Sequence, residues 1–144
     1  HLDLKPSNVL ITKSNKAMVI DYGISKGLTE KRKVREHTKM YCAPEQLDAE
    51  QDLDKRTDIY SLGLLMHQML CGSSPYTANS NEELEDKVKY RKTKRMVDIY
   101  PAITQEFQEI VDKATEKDPD FRYQTCGEFL DDLNYLSNKS NITL

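Results

Sequence analysis

The chain has 144 residues, 38% of them hydrophobic and 31% charged, enough for one compact domain of ordinary composition. Its net charge of -3 brings no basic excess for nucleic acid, and its longest apolar run, near residues 62–66, is far short of the roughly 20 residues a membrane span needs. Cys42, Cys71 and Cys126 are odd in number and form no CxxC pair, so they read as reduced thiols of a cytoplasmic protein, not as a disulfide frame or a zinc site.

In chain order, Val9-Leu10-Ile11 and Ala17-Met18-Val19-Ile20 are short runs rich in β-branched residues. Turn chemistry separates them, which predicts a small hairpin. Residues 23–40 have no helical period and read as a loop. Pro44-Glu45 opens a short helix. The stretch from Asp58 to Cys71 is apolar almost all round and predicts a buried helix ended by Gly72. Ser80-Asn-Glu-Glu83 is a capping box for a polar helix over 81–94. Thr104 caps the next helix, whose apolar stripe is Phe107, Ile110, Val111 and Ala114, and Asp118-Pro119 stops it. Thr125-Cys-Gly-Glu128 is a second capping box, followed by a stripe of Phe129, Leu130, Leu133 and Leu136. The sequons at Asn138 and Asn141 read as chance matches in a polar tail.

The chemistry concentrates in the first residues. Phosphoryl transfer needs a carboxylate to orient and deprotonate the acceptor hydroxyl, a cation near the phosphoryl group, and oxygen ligands for Mg2+. Asp3 supplies a carboxylate, Lys5 an ammonium and Asn8 an amide oxygen. The hairpin brings Asp21 back beside Asn8, and Mg2+ is content with few protein oxygens plus phosphates and water. Singly, these residues are ordinary surface chemistry, and Asp21-Tyr22-Gly23 alone is a turn.

Together with later motifs they carry a resemblance. His1-Leu2-Asp3-Leu4-Lys5-Pro6-Ser7-Asn8 resembles the catalytic loop of eukaryotic-type protein kinases, His-Arg-Asp-Leu-Lys-x-x-Asn. Asp21-Tyr22-Gly23 is similar to their Asp-Phe-Gly, and Ala43-Pro44-Glu45 is their Ala-Pro-Glu, preceded by Thr38-x-x-Tyr41. Asp58-Ile-Tyr-Ser-Leu-Gly63 resembles the opening of their buried central helix. Arg122 in Lys117-Asp-Pro-Asp-Phe-Arg122 matches the arginine that pairs with the glutamate of Ala-Pro-Glu. Several of these stretches also look like bacterial Ser/Thr kinases of eukaryotic type, or divergent protist ones.

The resemblance implies a protein-kinase-like α+β fold, C-lobe only, mainly α-helical with a small β-hairpin at the N-terminus. The partial kinase domain would span 1–137, with 138–144 a polar tail. Asp3 would be the catalytic base, Lys5 the phosphate contact, and Thr38 a residue positioning both. Asn8 and Asp21 would hold Mg2+ and, with Lys5, ATP. His1 and Tyr22 would stack in an apolar spine. Asp58 would hold the catalytic loop from below, and Glu45–Arg122 would be a structural ion pair. Lysine at position 5 points to the Ser/Thr branch, hence a protein substrate.

The sequence departs from the pattern in four ways. Leu2 stands in place of the arginine that grips an activation-segment phosphate, which implies activity without that switch, or with another. Tyr22 replaces Phe, and His37 stands where a Gly usually precedes Thr38. The basic residues Lys26, Lys31, Arg32, Lys33, Arg35 and Lys39 read either as a solvated loop or as an anion-binding patch. Finally, the five glycines form no G-x-G-x-x-G and no Val-Ala-x-Lys strand is present. The phosphate-covering N-lobe is therefore expected outside this chain, as its missing partner, with a bare apolar face where it would pack. A pseudokinase scaffold and a small-molecule phosphotransferase are the alternatives. The second usually lacks Ala-Pro-Glu and the Asp58 helix motif.

Overall fold

The computed structural model describes residues 1–22 and 36–140, without the side chains of residues 36–38 and 140. The β-branched runs form an antiparallel hairpin of β1 (Val9–Ile11) and β2 (Ala17–Val19), with Val9 opposite Val19. Asn15 closes its turn in the left-handed region, at φ 60, a conformation asparagine tolerates. The 3₁₀ turn Pro6–Asn8 precedes the hairpin, and the Asn8 carbonyl accepts from the Ile20 amide at 2.9 Å. That bond extends the pairing by one step, to the residue before Asp21.

Part of the stretch read as a loop is a 3₁₀ helix, Glu36–Tyr41, and a second one, Pro44–Leu47, follows Ala43. The buried helix α1 runs Lys55–Cys71. It starts three residues before Asp58 because the Asp54 carboxylate caps it, accepting from the Arg56 amide at 2.7 Å. Gly72 ends it at φ 64, where a Cβ would be strained. Gly63 serves a different need: a Cβ there would meet Thr115 Cγ2 at 2.8 Å, so its absence lets α1 lie directly against α4, Gln105–Ala114.

Helix α2 spans Asn81–Tyr90, shorter than the predicted 81–94. Ser80 caps it, but Glu83 turns back to the Asn79 amide and not to Ser80. The remaining residues pass through an extended segment into the short helix α3, Met96–Ile99. The sequence offers α3 no cap; buried Gln108 supplies one, its Oε1 accepting from the Met96 amide at 2.6 Å. Helix α5, Cys126–Ser140, runs on through residues 138–140, the first three of the polar tail. Its inward stripe is Phe129, Leu133 and Leu136. Leu130, predicted on that stripe, is 55% exposed, because one residue beyond Phe129 is a turn of about 100° around the helix. Among the described residues, no helix is long and apolar enough to cross a membrane.

Two apolar clusters share α1. One joins Tyr41, Cys42 and Ala43 to Tyr60, Leu64, Tyr76, Leu84 and Val88. The other packs Ile59 against Ile110, Ala114, Tyr123, Phe129 and Leu136. Beside the first cluster Lys117 is drawn inside. Its ammonium donates to the Tyr60 hydroxyl (2.9 Å), the Tyr76 hydroxyl (2.7 Å) and the Val88 carbonyl (2.7 Å). The last bond satisfies a carbonyl in the final turn of α2 from a distant segment.

Burial, reinforced by nearby Arg122, pulls Lys117 from the ordinary value of 10.5 down to about 8. Unfolding restores the ordinary value, so between those limits the unfolded chain is the more protonated and stability rises with pH. Below about pH 8 the burdened charge is present in both states and its cost is constant. Burial raises Cys42, Tyr60 and Tyr76, which subtract stability in alkali, so the test is a difference. From about pH 7.5 to about pH 9.5 the chain should gain about 1 kcal/mol on its Lys117→Met variant in urea unfolding. Parallel curves would refute a perturbed lysine.

Candidate active site

The loop at residues 1–8 has almost no regular structure, so side chains from elsewhere must shape it. Asp58, in the first turn of α1, does most of this. Its Oδ2 accepts from the His1 backbone nitrogen at 2.6 Å and its Oδ1 from the Leu2 amide at 2.7 Å. The His1 ring is fixed at both nitrogens. Nδ1 accepts from the Asp3 amide (3.3 Å), so Nε2 carries the proton and donates to the Ile20 carbonyl (2.8 Å). Tyr22 meets that ring edge-on, with centroids 4.8 Å apart. The Tyr22 side chain is itself 58% exposed.

These contacts aim Asp3 inward, where it is 5% exposed. Its Oδ2 accepts from Lys5 Nζ at 2.8 Å and from Asn8 Nδ2 at 3.3 Å. Asn8 Nδ2 also donates to the Asp3 carbonyl at 2.8 Å. Asp3 Oδ1 is buried and has no hydrogen-bond partner among the described residues. A buried carboxylate oxygen without a donor is costly, and such sites in native proteins call for a ligand or a catalytic role.

The same contacts sort the possible metal ligands. Because Asn8 commits its NH2 group to Asp3, its amide oxygen is the atom that these bonds leave for a cation. Asp21, exposed and at φ 63, follows the Ile20–Asn8 bond. One carboxylate and one amide oxygen are hard ligands of the kind Mg2+ takes in small number. Among the described residues no cluster of three His, Cys, Asp or Glu gathers to hold a metal by itself. The Thr38 side chain, Gly23, Thr29 and the basic residues from Lys26 to Arg35 lie outside the described residues. Lys39 is described and pairs with Glu85 at 2.7 Å.

A second set of contacts braces the site from behind. Arg122 donates to both Glu45 oxygens, at 2.7 and 2.8 Å, with its side chain fully buried. Its remaining donors reach the Arg56, Glu116 and Lys117 carbonyls, and Thr57 adds a hydroxyl to Glu45 at 2.9 Å. Every polar atom of the pair is thus engaged. Tyr41 is tied to α1 by its hydroxyl on Gln68 and by its carbonyl, which accepts from Ser61. Gln46 bridges the 3₁₀ turn and the loop: its Nε2 donates to the Leu2 carbonyl at 2.9 Å, and its Oε1 accepts from the Ala43 amide at 2.9 Å. Sequence reasoning passed over Gln46 and Lys117. A Gln three residues after Ala43 carries a helix-start signature, but nothing in the sequence joins it to Leu2.

Fold and site together define the helical half of a kinase-like fold, with the loop at residues 1–8 seated on a central helix. The protein kinase domain family matches residues 1–132. The chain is 32% identical over 148 residues to a probable serine/threonine-protein kinase of Clostridium perfringens, covering 100% of this chain and 22% of that protein. It is 34% identical over 145 residues to the serine/threonine-protein kinase PknB of Mycolicibacterium smegmatis, covering 92% of this chain and 22% of that protein. The chain belongs to the protein kinase domain family, and it spans about a fifth of the length of these relatives.

Arg122→Ala would strand the Glu45 carboxylate in the core. We expect a loss of about 3–5 kcal/mol in chemical denaturation. The Glu45→Leu/Arg122→Leu pair should lose clearly less than the sum of its two single changes, because the second removes the stranded charge.

Proposed function

We propose that the chain is the C-terminal part of a cytoplasmic serine/threonine protein kinase that transfers the γ-phosphate of ATP to a protein hydroxyl with Mg2+. The observation that carries this reading is the constellation at Asp3: a buried carboxylate with one oxygen held by Lys5 and Asn8 and the other without a donor. The unpartnered Oδ1 is suited to accept the proton of a serine or threonine hydroxyl as that oxygen attacks phosphorus. Lys5, two residues on, is close enough to hold charge on the transferring group while it steadies Asp3. Asn8 and Asp21 would hold Mg2+, which when bound neutralises charge on the phosphates. Thr38 would position Asp3 and Lys5.

The glycine-rich, phosphate-covering half would lie upstream. Leu10, Ile11 and Met18 of the hairpin are each more than half exposed, an apolar face that such a lobe would cover. The serine/threonine specificity rests on Lys5 and on the similarity to serine/threonine-protein kinases. A pseudokinase scaffold is disfavoured because Asp3, Lys5, Asn8 and Asp21 are all present. A small-molecule phosphotransferase is disfavoured by Ala43-Pro44-Glu45 and the Asp58 motif.

In the full-length protein, Asp3→Asn should lower phosphate transfer by about 10²–10⁴-fold while ATP–Mg2+ binding persists, measured by radiolabel transfer and calorimetry. An unaltered rate, or no nucleotide binding by the parent protein, would replace the kinase reading with a scaffold. Because Leu2 cannot grip a phosphate, Thr29→Ala should also leave the rate unchanged. A loss reversed by Thr29→Glu would reveal a phospho-switch.

A further inference from the structure

Leu2 immediately precedes Asp3, and its backbone sits at φ 64. That left-handed conformation is strained for a residue with a Cβ. It persists only where surrounding contacts impose it. Here two side chains from separate elements do so. Asp58 holds the Leu2 N–H at 2.7 Å, and Gln46 holds the Leu2 carbonyl at 2.9 Å. The leucine side chain offers no hydrogen bond of its own, so the loop is gripped through its backbone.

Gln46 does this with both ends of one amide. Its Oε1 faces the Ala43 N–H and its Nε2 faces the Leu2 carbonyl. A flipped amide would set donor against donor and acceptor against acceptor, so the orientation follows from the partners. Glu45, the preceding residue, is locked by Arg122, which makes the base of the clamp rigid. Only a side chain of this length with one donor and one acceptor satisfies both neighbours.

We propose that Gln46 is a positioning residue of the phosphotransfer site: its amide clamps the Leu2 carbonyl to the turn at Ala43 and thereby aims Asp3. The proposal rests on the phosphotransfer reading above for its kinetic arm alone. Gln46→Met keeps the bulk and loses both bonds. Gln46→Glu keeps the acceptor for Ala43, but its ionised carboxylate turns an oxygen on the Leu2 carbonyl. Once protonated, it donates there as the amide does.

In the full-length protein, Gln46→Met should lower kcat about tenfold at every pH with the KM for ATP unchanged, the worth of one aligned hydrogen bond. Gln46→Glu should share that deficit at about pH 8 and approach the parent rate as the pH falls through the carboxylate range, both read as a ratio to the parent protein. A structural role alone would give no such recovery. Unchanged kcat in both variants, or a pH-independent ratio for Gln46→Glu, would overturn the clamp.

Amide hydrogen exchange separates this outcome from failure of the kinase reading. In Gln46→Met the Leu2 and Asp3 amides should exchange about tenfold faster while those of α5 keep their rates, whether or not the protein turns over ATP. Parent-like exchange at Leu2 and Asp3 would refute the clamp by itself. A parent protein without turnover would refute only the kinase reading.

Discussion

The buried pairing of Glu45 with Arg122 is the constraint on which the rest of the structure depends. Two fully desolvated charges are tolerable only when every donor and acceptor is used. Arg122 meets that condition by reaching three backbone carbonyls besides Glu45, and Glu45 by accepting from Thr57. The pair therefore collects the turn after Ala43, the start of α1 and the segment before α5 at one point. A turn held this firmly is a fixed base for Gln46, and Gln46 reaches the residue next to Asp3.

Helix α1 is the other half of the frame. Its first turn presents Asp58 to the loop, its middle holds Ser61 against the Tyr41 carbonyl, and Gly63 lets α4 approach from the far side. A helix buried on so many sides has little freedom to shift, so a loop without regular structure can borrow its precision. This explains how a stretch with one short 3₁₀ turn keeps an ammonium and an amide within hydrogen-bond distance of one carboxylate. Lys117 extends the same logic to α2, where an ammonium buried among tyrosines ends a helix that a polar sequence alone holds weakly.

Much of the fold was legible because the signals are local. The hairpin follows from β-branched runs around a turn, α4 from Thr104 and its stripe, and the end of α1 from Gly72. The misreadings also share a cause. Leu130 looks inward only if periodicity is counted without geometry, and α3 has no cap of its own because Gln108 supplies one from another helix. At the site, the residue types at positions 3, 5, 8 and 21 stand in the sequence, but their contacts with distant residues do not.

By itself, then, the sequence determined which groups the site holds and in what order, since residue chemistry, caps and short-range periodicity need no partner from elsewhere in the chain. Only the tertiary structure decided how those groups are aimed. The Asp58 bonds to His1 and Leu2, the Gln46 amide on Leu2, the Tyr60–Tyr76–Lys117 cluster and the full satisfaction of Arg122 all join residues far apart in sequence. Their partners are chosen by packing around α1, where an unsatisfied buried polar group costs more than any local preference can return.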